Sequence, residues 1–130
     1  MEKVAVVTGA SSGIGFETAL ALAREGYHTY ATMRDTTKSD KIKELGQKDG
    51  LKISVLELDV DNDDSVKVTI KKILDEKQRI DVLVNNAGWG LWGCVEDVSV
   101  DEFKTQFETN FFSVIRLIQE VGPTMRKQGS

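Results

Sequence analysis

The chain holds one cysteine, one proline and one histidine, and each scarcity closes a route. A lone Cys94 forms no internal disulfide, which makes a reducing, cytoplasmic setting the default. With no histidine nearby to activate it, Cys94 reads as a passive small hydrophobe. His28 also stands alone, so there is no Ser-His-Asp triad and no metal cluster to propose. With Pro123 as the single proline and no Ser- or Gly-rich run, neither linker nor repeat is expected. No apolar stretch approaches the roughly 20 residues that span a bilayer, so no membrane association is expected. Met1-Glu2-Lys3 leads straight into an apolar strand, leaving no room for a signal peptide. The net charge of -4 comes from intermixed signs, and no basic cluster exists to neutralise a nucleic-acid backbone; Lys71-Lys72 reads as part of a solvated helix face. What remains, 130 residues at 40% hydrophobic and 29% charged, suits one soluble globular domain over residues 1–130.

The rest of the chain is organised around Val4 to Glu25. Val4 to Val7 is an apolar run too short for a buried helix and suited to a strand covered on both faces, as in a parallel sheet. Thr8-Gly9-Ala10-Ser11-Ser12-Gly13-Ile14-Gly15 follows. Gly9 can make a tight turn, Gly13 leaves room for a pyrophosphate, and Gly15 lets the next helix lie close to the sheet. Free amides and the positive end of that helix then face the phosphates. Ala19 to Ala23 are strong helix formers, and Gly26 is the expected end signal. Without Gly-Lys-Ser/Thr, a triphosphate-binding P-loop is disfavoured.

With its threonine before the first glycine and its Gly-Ile-Gly, this loop resembles the cofactor loop of the short-chain dehydrogenase/reductase family. The resemblance implies a Rossmann-type doubly wound parallel sheet, an α/β fold, in which Thr8, Gly9, Ser11, Ser12, Gly13, Ile14 and Gly15 hold a nicotinamide dinucleotide. Tyr27 to Met33 reads as the second strand and ends at Arg34-Asp35. Such folds choose their cofactor there: an acid on the ribose hydroxyls favours NAD, a base admits the extra phosphate of NADP. The family's acidic position falls on Met33 and is followed by Arg34, a pattern similar to NADP-preferring members, with Ser11 as a second donor to the phosphate. NADP is the expected cofactor and NAD the alternative, because a shift of one register makes Asp35 the ribose acid. An exposed Arg-Asp pair at a strand end is the competing account.

Thr36 to Gly50 carries a short polar helix resting on Ile42 and Leu45, and Leu51 to Leu58 reads as an outer strand ending at Asp59-Val60. By resemblance Asp59 bonds the adenine amine and the Val60 backbone helps hold the ring, whereas Asp61 is read as the cap of the next helix. Val66, Ile70, Ile73 and Leu74 give that helix, Asp63 to Lys77, one apolar face. Ile80 to Val84 is a further buried strand, ending at Asn85-Asn86-Ala87-Gly88. Ala87 and Gly88 remove bulk where a nicotinamide ribose must pass, and the asparagines, Asn86 among them, can fix loop and strand backbone.

Trp89, Leu91 and Trp92 either line an apolar substrate pocket or pack under the long helix that follows. That helix opens at the capping box Ser99-Val100-Asp101-Glu102 and carries a stripe of Phe103, Phe107, Phe111, Val114, Ile118 and Val121. Gly122-Pro123 is expected to kink or end it, and Met125 to Ser130 to lead toward a fifth strand. Glu-Thr-Asn110-Phe-Phe-Ser-Val resembles the family segment bearing the asparagine of the catalytic tetrad, which bends the helix and holds a water; a solvent-facing mid-helix asparagine is the plain alternative.

The family's serine and its tyrosine followed four residues later by lysine are missing. Tyr27 and Tyr30 are the only tyrosines, and Tyr30 is followed at that spacing by Arg34. The expectation is therefore the cofactor-binding half of an oxidoreductase, inactive alone, with the sheet stopping after its fourth βα unit in the order 3-2-1-4. Tyr30-Ala-Thr-Met-Arg34-Asp35 and Asn86-Ala-Gly-Trp-Gly-Leu91 are similar to family members acting on steroids and retinoids, a resemblance that implies a bulky apolar alcohol or ketone as substrate. The exposed fourth strand and last helix are expected to drive self-association into a homo-oligomer. A non-catalytic dinucleotide-binding or regulatory module, and another Rossmann-like class such as a methyltransferase, are the competing readings.

Overall fold

Every residue of β1 (Val4–Val7) is buried to the last atom, and that burial on two sides sets the architecture. The computed structural model describes residues 1–129. β1 lies between β2 (His28–Met33) and β4 (Val82–Val84), with β3 (Ile53–Glu57) outside β2, all parallel, in the order β3-β2-β1-β4. Successive side chains of a strand point to opposite faces. Val7, Ala31 and Met33 accordingly pack with Phe16, Ala19 and Leu20 of α1 (Gly13–Arg24) and Ile42 of α2 (Asp40–Lys48). Val4, Val6 and Tyr30 meet Val66, Ile70 and Ile73 of α3 (Asp63–Lys77) on the other face, together with Leu117 and Val121 of α5 (Ser113–Gln128). Each buried aliphatic side chain contributes about 1.5–3 kcal/mol by leaving water. This is the doubly wound α/β sheet the sequence implies.

β1 matches its apolar run, whereas β2, β3 and β4 are shorter than the runs that mark them, yet pairing extends past their ends: Leu58 N–H donates to the Met33 carbonyl (2.9 Å) and Asp81 N–H to the Val4 carbonyl (2.8 Å). The start of β1 is pinned the same way, by Val4 N–H donating to Asp81 Oδ2 at 2.8 Å. The neighbouring Arg79 guanidinium, and after it that amide, hold the Asp81 carboxyl below its ordinary pKa. The Thr36 to Gly50 stretch divides into a 3₁₀ turn (Thr36–Lys38) and α2, because the buried Ser39 hydroxyl donates to the Thr36 carbonyl at 2.6 Å.

Three local expectations are corrected. Pro123 does not end the last helix; α5 runs through it to Gln128 and stops at Gly129, which has φ 80°. Pro123 and Gln119 are both exposed, so water can serve the Gln119 carbonyl that loses its amide partner, while the fully buried Leu117 and Val121 hold the helix on the sheet. Asp61 is not the cap of α3: Asn62 is, its side chain accepting from Ser65 N–H at 2.9 Å. Of the stripe from Phe103 to Val121, only Val121 is fully buried in the packing face. Phe107, Phe111 and Ile118 are about half exposed, and the buried face is Thr109, Ser113, Leu117 and Val121. Between α4 (Val100–Phe107) and α5 the helix passes through a π-helical turn, Glu108–Phe112, which re-registers the two halves. Small side chains at Thr109 and Ser113 let the helix approach closely, so the large aromatics are turned outward. The capping box at Ser99 and Glu102 is formed as expected. β4 pairs only with β1 among the described residues, and no helix of the described residues is long and apolar enough to cross a membrane.

Candidate functional site

In an open parallel sheet, ligands bind beyond the carboxyl ends of the strands, where the winding direction reverses. Here that point lies between β1 and β4, and the two turns leaving them are locked together. The buried Thr8 hydroxyl accepts from the amides of Asn86 (3.0 Å) and Ala87 (2.9 Å). In return the Asn86 side-chain amide donates to the carbonyls of Thr8 (3.2 Å) and Gly9 (3.1 Å).

The three glycines of the first turn divide by what surrounds them. A methyl group on Gly15 would collide with the Gly9 carbonyl oxygen and the Asn86 amide, and one on Gly9 would lie 2.8 Å from Ala87 Cα. These two glycines allow close packing. Gly13 differs, with φ 60° and nothing within 4 Å of an added Cβ. Beside it Ser12, the N-cap of α1, makes no side-chain hydrogen bond to the helix, so the first amides of α1 are not capped by it. Open space next to uncapped helix amides fits a diphosphate.

A cleft of about 810 Å³ opens in front of this turn. From the β1 turn it is lined by Gly9, Ser11, Ser12 and Ile14, and from the end of β2 by Met33, Arg34, Asp35 and Lys38. Leu58, Asp59, Val60 and Asp61 line it after β3, and Asn86, Ala87, Gly88 and Trp89 after β4. Thr105 and Thr109 close one end. Ten of the expected site residues therefore meet in one space. Thr8 and Gly15 are buried behind it as supports, and Gly13 opens onto a neighbouring hollow of about 730 Å³ along α1. Asn110 is exposed at the rim: its Oδ1 accepts from Trp89 N–H (3.0 Å) and its Nδ2 donates to the Trp89 carbonyl (2.8 Å). Gly88 makes room for that, since a Cβ there would lie 2.9 Å from Asn110 Oδ1.

Arg34 is exposed at the cleft edge, and Lys38, four residues on, adds a second cation that sequence reading missed; the 3₁₀ turn folds it back. The Asp35 carboxyl accepts from the Thr37 hydroxyl (2.6 Å) and amide (3.0 Å), which together hold its pKa below the ordinary value. Asp59 Oδ1 accepts from Asp61 N–H at 3.1 Å. Arg116 of α5 braces this corner, donating to the Val60 carbonyl (2.8 Å) and to Glu108 (2.5 Å) and pairing with Asp63. Of the aromatic loop, Trp89 reaches the cleft wall, whereas Trp92 is 91% exposed and does not line this cleft.

Strand order, switch-point cleft and interlocked small-residue turns define a Rossmann-type domain of the dinucleotide-binding class. Comparison with known proteins narrows this: the short chain dehydrogenase family profile matches residues 3–130. The uncharacterized oxidoreductase YusZ of Bacillus subtilis is 41% identical over 98% of this chain and 46% of its own length. Human retinol dehydrogenase 8 is 39% identical over 97% of this chain and 41% of its own. A metagenomic short-chain oxidoreductase solved in complex with NADP superposes with a TM-score of 0.92 at 30% identity, covering 97% of this chain and 57% of that one. The chain belongs to the short-chain dehydrogenase/reductase family. It spans less than half the length of the curated relatives named here.

Proposed function

We propose that residues 1–130 form the cofactor-binding half of an NADP(H)-dependent oxidoreductase that moves hydride between a nicotinamide and an alcohol or ketone carbon. The observation that carries this is the open space at Gly13 beside the uncapped start of α1, next to a cleft that gathers Arg34, Lys38, Asp59 and Gly88. The bound nicotinamide supplies the hydride chemistry. The chain's own groups bind and orient it: amides of Ser12 to Gly15 on the diphosphate, Ser11, Arg34 and Lys38 on the 2′-phosphate, Asp59 and the Val60 backbone on the adenine. Ala87 and Gly88 leave passage for the nicotinamide ribose, and Asn110 holds the Trp89 backbone and the helix turn that would carry a relay water.

Neither tyrosine serves as the proton donor. Tyr30 is buried in β2 and donates to Glu76 at 2.7 Å; burial first, then that bond, drive its pKa far above the ordinary phenol value. Residues 1–130 alone are therefore expected to show no turnover. A bulky apolar alcohol or ketone is the substrate class that Trp89 at the cleft wall favours. The half-exposed Phe107, Phe111 and Phe112 and the β4 edge suit burial against further protein, which makes this fragment self-associating.

Titration with NADPH, NADH and an S-adenosylmethionine analogue tests the reading. NADPH is expected to bind tightest and Arg34→Asp to reverse the preference toward NADH. Failure of both dinucleotides to bind overturns the proposal.

A further inference from the structure

Asp61 was expected to cap α3, and Asn62 does that instead; the structure gives Asp61 a different and costly position. One oxygen, Oδ2, accepts from the Thr109 hydroxyl at 2.8 Å. The other, Oδ1, is buried and has no hydrogen-bond partner among the described residues. A buried acceptor left unmatched costs about 1–3 kcal/mol, so the Asp61–Thr109 contact is a poor device for stability alone. Such an unmatched group in a native site calls for a functional account.

Thr109 links further. Its hydroxyl oxygen also accepts from the Trp89 indole Nε1–H at 3.2 Å. Having one proton, given to Asp61, it meets the indole only as an acceptor, so the direction of the chain is fixed. On the far side Asp61 N–H donates to Asp59 Oδ1. An unbroken series therefore runs from Asp59 through Asp61 and Thr109 to Trp89, whose backbone is in turn bracketed by Asn110. It joins the β3 end of the cleft to the β4 end by way of the π-helical turn, across a sequence separation of 48 residues. Two members on either side of Asp61 are held in place: Thr109 is 7% exposed and Asp59 N–H donates to the Ser65 hydroxyl at 3.0 Å.

We propose that Thr109 is a positioning residue that couples the adenine end of the cleft to the nicotinamide-side loop, by passing the orientation of Asp61 to the Trp89 indole. This rests on the cofactor reading above. The Asp61 carboxylate, half satisfied and in the cleft wall, reorients when a ligand engages Asp59 beside it. Its grip on the Thr109 proton then changes, and with it the acceptor offered to Trp89.

The test uses ¹⁵N-labelled chain and 2′,5′-ADP, which carries the adenine end and no nicotinamide. The indole region of the proton–nitrogen spectrum holds two resonances, for Trp89 and Trp92, and Trp92→Phe assigns them. At saturation, read from the plateau of the isotherm, the Trp89 resonance is expected to move by more than its linewidth and that of Trp92 to stay. Thr109→Val and, independently, Asp61→Ala are expected to abolish the movement at saturation, and Thr109→Ser to restore it. A Trp89 response that persists in either silencing variant, or is absent from the unmodified chain while 2′,5′-ADP binds, overturns the coupling and leaves the cofactor reading standing. If neither 2′,5′-ADP nor NADPH binds, the cofactor reading itself fails and takes the coupling with it.

Discussion

Replacing Gly15 and Gly13 by alanine, one at a time, separates packing from binding within a single turn. At Gly15 the new methyl group meets the Gly9 carbonyl and the Asn86 side-chain amide. Overpacking of this kind costs about 1–3 kcal/mol. Displacing Asn86 also strains its two hydrogen bonds to the Thr8 and Gly9 carbonyls, each contributing about 0.5–1.5 kcal/mol. A loss of about 3 kcal/mol follows, which for a domain of this size lowers Tm by about 10 °C. At Gly13 the methyl group meets nothing within 4 Å. The cost there is the left-handed backbone, about 1–2 kcal/mol, and hence a smaller drop in Tm. On the proposed reading the methyl would occupy the space that the diphosphate takes, so NADPH affinity should fall at least about tenfold, equivalent to about 1.4 kcal/mol. Circular-dichroism melts and fluorescence titration with NADPH measure both quantities. If Gly15→Ala melts with the unmodified chain, or Gly13→Ala binds NADPH unchanged, the division of labour among these glycines is refuted.

Pro123→Ala should raise Tm by several degrees, since it restores the amide to a helix that already runs through the position; an unchanged or lowered melt would show that the ring contributes packing. Asp81→Asn should flatten the acid limb of stability. The native carboxyl is held below its ordinary pKa, so its contribution is complete above the unfolded value of about 3.9 and disappears as pH falls through the folded value. The gap between Asp81→Asn and the unmodified chain in urea midpoints should be largest at neutral pH and close on acidification below about pH 4. A pH-independent gap would argue against ionic stabilisation by Arg79 and Val4.

The parts of the fold legible in the sequence were those decided within a few residues. Val4 to Val7 could only be a strand covered on both faces, and Gly9, Gly13 and Gly15 announced a turn with no room or no need for side chains. The capping box at Ser99 is equally local. Asp61 misled because capping is a neighbourhood rule, whereas its partner Thr109 arrives through tertiary folding. The stripe through Phe107, Phe111 and Ile118 misled for a related reason: helical period reports that apolar residues share a face, not which surface covers them. Pro123 was read by backbone chemistry alone, and the burial of Leu117 and Val121 outweighed it. Lys38 became visible only when the 3₁₀ turn brought it beside Arg34.

The π-helical turn at Glu108–Phe112 makes the chain sensitive to counting. Because it accommodates one residue more than an ordinary α turn, tightening the same five residues into uninterrupted α-helix would put one extra residue's rotation between its two flanks. All that follows would then rotate by about 100° relative to what precedes it. Leu117 and Val121 would leave the sheet, Arg116 would release the Val60 carbonyl, and the outward aromatics would swing toward the core. The width of this one turn is what holds the faces of the two helices in phase.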